Sequence, residues 1–392
     1  MQESAMGYMF LAAGIGCCVW ISVYAIGVWT VIRGARLAGV KAPARQTWPS
    51  ISVVFAARDE EEEIGDAIEA LLAQDYPGLE VIAVNDRSSD ATGRIIDQMA
   101  KIDSRLRAVH VDTLPEGWLG KVNALDRGFR ESDGEWVLFT DADVKLAPDT
   151  LKKAVTFAEK NNAEHLVLFP KLLEASYMLE VAFAAFSILL MTSTKAFRIG
   201  SPGSRAYIGV GAFNMVQRQA LTRSEGFEWL KMEVGDDLGL GLLLRNAGAK
   251  VAFAFAEMGV SLVWYRSLGQ MFHGMQKNLF SSARYSYLML VPLLALLTIF
   301  SLSPLVVLLP SAPTALILLS ALAFLSSIAL GLTSRGLFVS RVTPYFLGPL
   351  GFMLVTLMIA NSGLMCALRG GIDWRGTLYP LKALRKGQRV KL

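Results

Sequence analysis

Glu80-Val-Ile-Ala-Val84-Asn-Asp86-Arg-Ser-Ser-Asp90-Ala-Thr92 carries the decision about the fold. It opens as a short β-rich run, passes through a polar turn, and takes helical spacing from Thr92 to Ile102. The same succession precedes it. Ile51-Ser-Val-Val-Phe55, bounded by Trp48-Pro49, is a buried-strand run, and Ile64, Ala67, Ile68, Leu71 and Leu72 then recur at helical spacing. It also follows, in Glu135-Trp-Val-Leu-Phe-Thr140, a helical stretch from Pro148 to Glu159, and His165-Leu-Val-Leu-Phe169. Strands alternating with helices predict an α/β fold with a mostly parallel sheet, whose ligands sit beyond the carboxyl ends of the strands.

On either side of this region the composition changes. Of 392 residues 53% are hydrophobic and 18% charged, against roughly 25% charged in soluble chains. No Asp, Glu, Lys or Arg occurs in 4–32, 285–334 or 342–368, and about one residue in four is charged elsewhere. The pattern is a soluble domain over 48–285 between transmembrane helices at both ends. It excludes a disordered chain, a fully soluble enzyme and a pure membrane bundle. Residues 7–32 are long enough to span a bilayer. Arg33, Arg36, Lys41 and Arg45 follow the span and no basic residue precedes it, which predicts a cytoplasmic domain.

The region 286–368 reads as about three helices, near 286–309, 313–333 and 344–367, with Arg335 and Arg341 in a short loop. The tail 369–392 holds seven basic residues and one acid, Asp373. Four spans would put this tail outside, against the positive-inside rule. Either the tail is an exception or one C-terminal segment is re-entrant or interfacial. The tail itself suits anionic lipid head groups, or a solvated topology signal. Segments near 179–191 and 266–280 read as interfacial helices, or as core packing. The net charge of +4 belongs to the tail, and the domain offers no basic stripe for nucleic acid. Cys17, Cys18 and Cys366 lie inside the uncharged windows without the spacing of a zinc or redox site.

Acidic clusters follow the strands. After the first comes Ala57-Arg58-Asp-Glu60-Glu-Glu-Glu63, which also suits an acid-rich first helical turn. After the second, Asp90 suits a helix cap, whereas Asp86 stands nearer the strand end. Asp141-Ala-Asp143 puts two carboxylates at the end of another strand, where they can hold a hard divalent cation and, through it, phosphate oxygens. Glu233-Val-Gly-Asp236-Asp237 opens a helix that stops at Gly248. Its carboxylates suit capping or a general base.

Taken in order, these clusters resemble a family 2 glycosyltransferase of the GT-A, nucleotide-sugar-binding fold, from about Ile51 to Ser286. The resemblance implies that Asp86 recognises the nucleotide base, that Asp143 is the metal ligand for Mg²⁺ or Mn²⁺, and that Asp141 supports the ribose or the metal. It implies that Asp237 is the catalytic base, with Asp236 where the family usually has Glu. Arg58 and Glu60 join the substrate-binding set. Gly120-Lys121-Val-Asn-Ala-Leu125 is similar to a segment along the donor, so Lys121 is expected to hold the nucleotide. Ile208-Gly-Val-Gly211-Ala-Phe-Asn214 is similar to the Gly-rich segment beside sugar and acceptor. Where many relatives carry Gln-x-x-Arg-Trp, this chain reads Gln270-Met-Phe-His273-Gly274, so His273 is expected near the pyrophosphate and the Trp is absent.

The overall plan, and the tail sequence Trp374-Arg-Gly-Thr-Leu-Tyr379, resemble ceramide glucosyltransferase-like, lipid-directed bacterial enzymes. The implied activity is inverting, metal-dependent transfer from a nucleotide-sugar donor, a UDP-sugar, to a membrane lipid acceptor. The implied location is a bacterial inner membrane. A processive polysaccharide synthase is the alternative, weakened by the missing Trp. A glycolipid transporter would need ionisable residues within the spans, and the uncharged windows offer none. A non-catalytic nucleotide-sugar-binding membrane protein would not need Asp86, Asp143 and Asp237 together.

Overall fold

Runs of Val, Ile, Ala and Phe that are apolar on both faces become the inner strands of one sheet. In the computed structural model, which describes residues 2–173, 175–201 and 203–391, the chain opens with α1 (Gln2–Arg33). It then alternates β1 (Ile51–Ala57), α2 (Ile64–Leu72), β2 (Leu79–Asp86), α3 (Thr92–Ile102), β3 (Leu106–Val111), α4 (Gly120–Arg130), β4 (Trp136–Asp141), α5 (Thr150–Lys160) and β5 (His165–Phe169). After α6 (Tyr177–Ser193) come β6 (Asn214–Gln217), α7 (Asp236–Asn246), β7 (Val251–Phe255) and α8 (Leu268–Gly274). The C-terminal part holds α9 (Tyr287–Leu302), α10 (Thr314–Thr333), α11 (Gly348–Arg369), β8 (Gly371–Trp374), β9 (Thr377–Pro380) and α12 (Leu381–Gly387).

The sheet runs β7-β5-β6-β4-β1-β2-β3, with the short strand Ala35–Arg36 beside β7. All neighbours are parallel except β6, which is antiparallel to β4 and β5. Ile51, Val53, Val54 and Phe55 of β1 are fully buried, each contributing roughly 1.5–3 kcal/mol relative to exposure. Register aligns the acidic strand ends. Ala56 lies opposite Asp141 and Ala57 opposite Asn85, so Arg58, Asp86 and Asp141 reach one edge. The antiparallel β6 pairs Asn214 with Phe139, which carries the Gly-rich segment to that same edge.

α1, α9 with its 3₁₀ continuation, α10 and α11 are each long and apolar enough to cross a membrane. They meet around Trp20, which stacks on Tyr24 (5.1 Å) and Phe300 (4.8 Å) and packs edge-on against Phe352. Its indole donates to Ser327 at 2.9 Å, an interhelical bond worth roughly 0.6–2 kcal/mol in a bilayer. α1 and α10 run side by side in the same direction, with Gly14 beside Leu316 and Gly27 beside Leu330. α11 runs against α9, with Phe352 by Phe300 and Gly363 by Leu290. The three cysteines are free.

Two expectations change. The segment 266–280 is not one helix. α8 is seven residues long, capped where Ser267 accepts from the Gln270 amide at 3.2 Å, and it gives way to 3₁₀ turns. The basic tail is not a free segment. It folds into the β8–β9 hairpin and α12, with Leu384 and Val390 buried, and it packs on the central domain. Two of its backbone amides donate to Glu233, from Arg389 at 2.6 Å and Val390 at 2.9 Å. Leu392 lies outside the described residues.

Candidate active site

Strand ends, the turn after β4 and the start of α4 surround a cavity of about 370 Å³. Arg58, Glu60, Asp86, Lys121, Asp141 and Asp143 all line it, so six of the expected site residues converge. Asp236 and Asp237 join them through Lys121, whose ammonium lies 2.7 Å from Asp141 and 3.1 Å from Asp236. Burial works against this ammonium, yet the flanking carboxylates push its pKa above the usual lysine range. Lys121 thus lines the cavity with its charge bracing the two acidic motifs against each other.

The Gly-rich segment is pressed between those motifs. A side chain at Gly209 would overlap the Asp237 carbonyl, and one at Gly211 would come within 2.5 Å of an Asp141 oxygen. With only hydrogen there, the Gly211 amide donates to Asp237 Oδ2 at 3.1 Å, while Leu238 donates to Oδ1 at 2.8 Å. Burial, and then the Asp236 charge, push the Asp237 carboxyl up to about 6. Behind it, Asn214 Nδ2 donates to the Asp237 carbonyl at 3.3 Å and its Oδ1 meets His165 Nε2 at 2.5 Å. Burial pushes His165 down to about 4, so the ring is neutral and its Nε2–H is the donor. The sequence marked His165 only as part of a strand. Its pairing with Asn214 arises from the β5–β6 register.

Asp143, solvent-exposed at the edge of the cavity, is pushed upward by partial desolvation among its neighbours and then by Asp141 and Glu60. A carboxylate so held gains from a cation. Asp141 in contrast stays below the ordinary range, because Lys121 offsets the cost of its burial. Among the described residues no three His, Cys, Asp or Glu side chains converge as a complete metal cage. Mg²⁺ and Mn²⁺ need no such cage when substrate phosphates and water fill the remaining positions. The donor set, one uncompensated carboxylate beside a second, fits that mode.

Two expected residues stand apart. Gln270 and His273 are exposed on α8 and do not line the cavity. Gln270 instead accepts from the Arg266 amide at 2.8 Å, fixing the entry to α8. Asp86 does line the cavity, but both its oxygens accept from Arg87, at 2.7 and 3.0 Å. The cavity gains Trp264, Tyr265, Lys277, Trp374, Arg375 and Tyr379, none of them in the expected set. The last three come from the tail, where an Arg-Gly pair between two short β runs was the available hairpin signal. Trp264 stacks on Phe183 of α6 at 5.4 Å, so one ring separates the cavity from the apolar helical layer.

Comparison with known proteins agrees with this geometry. The model of glycosyl transferase family 2 matches residues 52–171, and that of glycosyl transferase family group 2 matches residues 136–362, more than half of the chain. A β-monoglucosyldiacylglycerol synthase of Synechocystis sp. is 28% identical over 200 residues, covering 50% of this chain and 40% of that protein. An uncharacterized glycosyltransferase of Haemophilus influenzae is 31% identical over 126 residues, covering 32% and 37%. The chain thus spans less than half the length of these curated relatives. The solved mannosyltransferase PcManGT from Pyrobaculum calidifontis, in complex with GDP-Man and Mn²⁺, shares the fold with a TM-score of 0.54 at 18% identity, over 92% of this chain and 99% of that one. Strand-end acids around one cavity, a mostly parallel sheet and two matching family models lead to one conclusion: the chain belongs to glycosyltransferase family 2, with a GT-A catalytic domain between apolar helices long enough to cross a membrane.

Proposed function

We propose that this enzyme transfers one sugar, with inversion, from a nucleoside-diphosphate sugar to a hydroxyl of a membrane lipid. The observation that carries the reading is Asp237. Its half-buried carboxylate is oriented by two backbone amides and its pKa is raised toward neutrality. A base so tuned is ionised at pH 7 and still basic enough to take a proton in the transition state. The acceptor oxygen attacks C1 as its proton passes to Asp237. The bond from C1 to the diphosphate oxygen breaks, and the nucleoside diphosphate leaves. Asp143, supported by Asp141, would hold Mg²⁺ or Mn²⁺, which when bound neutralises charge on the leaving diphosphate. The lines of support for a lipid acceptor are the glucolipid-synthase name of a relative and the Trp264–Phe183 stack, which joins the cavity to apolar helices. The resemblance favours a UDP-sugar as donor.

The basic residues after α1 support a cytoplasmic-face active site, and the resemblance to lipid-directed bacterial enzymes favours a bacterial inner membrane. The tail lies against the catalytic domain, so Arg369 ends on that domain's side. α1 delivers the chain to this side, and α9 with α10 leaves and returns. The segment from Arg335 to Arg369 therefore enters and leaves on one side, with α11 descending from the level of Trp20 and Tyr24 alongside α9 as the second limb of a re-entrant segment, and the basic tail obeys the positive-inside rule.

The test is incubation of the full chain with a nucleotide-sugar panel, Mg²⁺ or Mn²⁺ and a membrane lipid extract. Mass spectrometry and NMR of the product then identify what was made. The expected product is a lipid carrying one added sugar with the anomeric configuration opposite to the donor. A retained configuration refutes the in-line role of Asp237, and a long polymer favours the processive alternative.

A further inference from the structure

We propose that the C-terminal hairpin is a working wall of the donor site, with Arg375 at its tip and Lys277 beside it holding the donor's diphosphate oxygens. This rests on the nucleoside-diphosphate reading above. The hairpin pairs Trp374 with Thr377 across a two-residue turn, Arg375 at φ +50° and Gly376 at φ +73°. Positive φ at both central residues is the turn whose twist suits a tight hairpin, but an arginine in that region is uncommon. Here the guanidinium enters the cavity, donating to the Arg58 carbonyl and pairing with Glu60 at 2.5 Å.

The available positive charge singles out the same two residues. Lys121 is committed to Asp141 and Asp236. Lys277 lines the cavity with no ion-pair partner among the described residues, its ammonium 4.2 Å from the centre of the Trp374 ring. Burial, and then Lys121, push its pKa down to about 8, with Asp141 and Asp236 acting in the opposite direction. Arg375 is half-exposed and its partner Glu60 is part-exposed, so their pairing is weak enough to be exchanged for a phosphate oxygen. Phosphate also suits the arginine fork, which can engage two oxygens at once. The place where an arginine was expected, Gln270 to Gly274, supplies none to the cavity.

The hairpin is held on both sides of the site. Tyr379 Oη accepts from the Gly120 amide at 3.1 Å, next to Lys121. Beyond α12, the Arg389 and Val390 amides bind Glu233, three residues before Asp236. The segment is thus pinned beside Lys121 at one end and beside the Asp236–Asp237 helix at the other.

The experiment measures binding of UDP, UMP, GDP and GMP to the full chain in lipid nanodiscs with Mg²⁺, comparing wild type, Arg375→Gln, Arg375→Lys and Lys277→Gln. Wild type is expected to prefer one diphosphate over its monophosphate. Arg375→Gln and Lys277→Gln should each weaken that diphosphate by about ten- to hundredfold, the range of a charge-assisted bond, and leave the monophosphate within about twofold. Arg375→Lys should retain part of the preference. An unchanged diphosphate-to-monophosphate ratio in both Gln variants overturns the proposal and leaves the donor reading intact. Equal loss of both ligands with a lowered Tm marks a purely structural hairpin and also overturns it. Failure of wild type to bind either diphosphate removes the donor reading and the proposal together.

Discussion

Replacing Asp237 by Asn removes a proton acceptor while keeping the shape of the side chain, so chemistry and folding can be separated. Both carboxylate oxygens accept backbone amides, from Gly211 and Leu238. Asn offers one oxygen, so one amide loses its partner at a cost of roughly 1–3 kcal/mol. Removing a half-buried charge that faces Asp236 acts in the opposite direction. The net change in stability is expected to stay within about 2 kcal/mol, a shift of a few degrees in Tm. Catalysis has no such compensation. Losing general base assistance is expected to reduce kcat by about 10²–10⁴-fold, or about 3–5 kcal/mol on the barrier. The assay is initial rate at saturating donor, alongside donor affinity by titration and Tm by calorimetry. A variant with kcat within about threefold of wild type, folded and donor-competent, would refute the assignment of Asp237 as base.

Asp143→Ala should make donor affinity insensitive to added Mg²⁺ or Mn²⁺; a donor titration that still sharpens with metal would contradict its role as ligand. The rate should fall as pH is lowered through about 6, because Asp237 must be ionised to accept a proton and burial has raised its pKa. A flat profile between pH 5 and 8 would remove that base, and the profile of Asp237→Asn should show no such limb. Gly211→Ala puts a carbon 2.5 Å from Asp141 Oδ2, so transfer should drop by at least about tenfold with far-ultraviolet circular dichroism unchanged. Normal kcat/KM in that variant would show that the close approach is dispensable. A C-terminal tag and a label at Arg341 should be accessible from the same face of sealed vesicles, with a label at Ser311 on the opposite face. Tag and Ser311 labelled together would restore four full crossings.

How much could be read without coordinates follows from local physics. β1, β2, β4 and β5 are buried on both faces, so their apolar runs are nearly continuous and stand out. β3 is an edge strand in which Arg107 and His110 interrupt Leu106, Val109 and Val111, and that pattern is weak. β6 is four residues long, and its place between β4 and β5 is a non-local choice that no window of sequence contains. The acids at strand ends were legible because a parallel sheet sends every carboxyl end to one edge. The committed state of Lys121 was not, since its two partners lie in segments far from it and from each other in the chain.

The tail shows why charge counted along a sequence can mislead. Its net charge of +6 leaves −2 for everything before it, which looks like a nearly neutral domain with a cationic appendage. In three dimensions four of the domain's acids are drawn together. Asp141, Asp143, Asp236 and Asp237 gather around one lysine, and Asp143 and Asp237 are pushed toward their neutral forms. A site so acidic repels the anionic diphosphate it is proposed to bind unless cations are brought in. Lys277 comes from the turns before α9 and Arg375 from a hairpin whose Tyr379 binds an amide 259 residues away. The same contact that supplies the charge puts the tail on the side of the catalytic domain. Electrostatic balance of the site and membrane topology of the chain are thus one constraint: a tail carried across the bilayer would leave the cavity without Arg375 and its acids without that compensation.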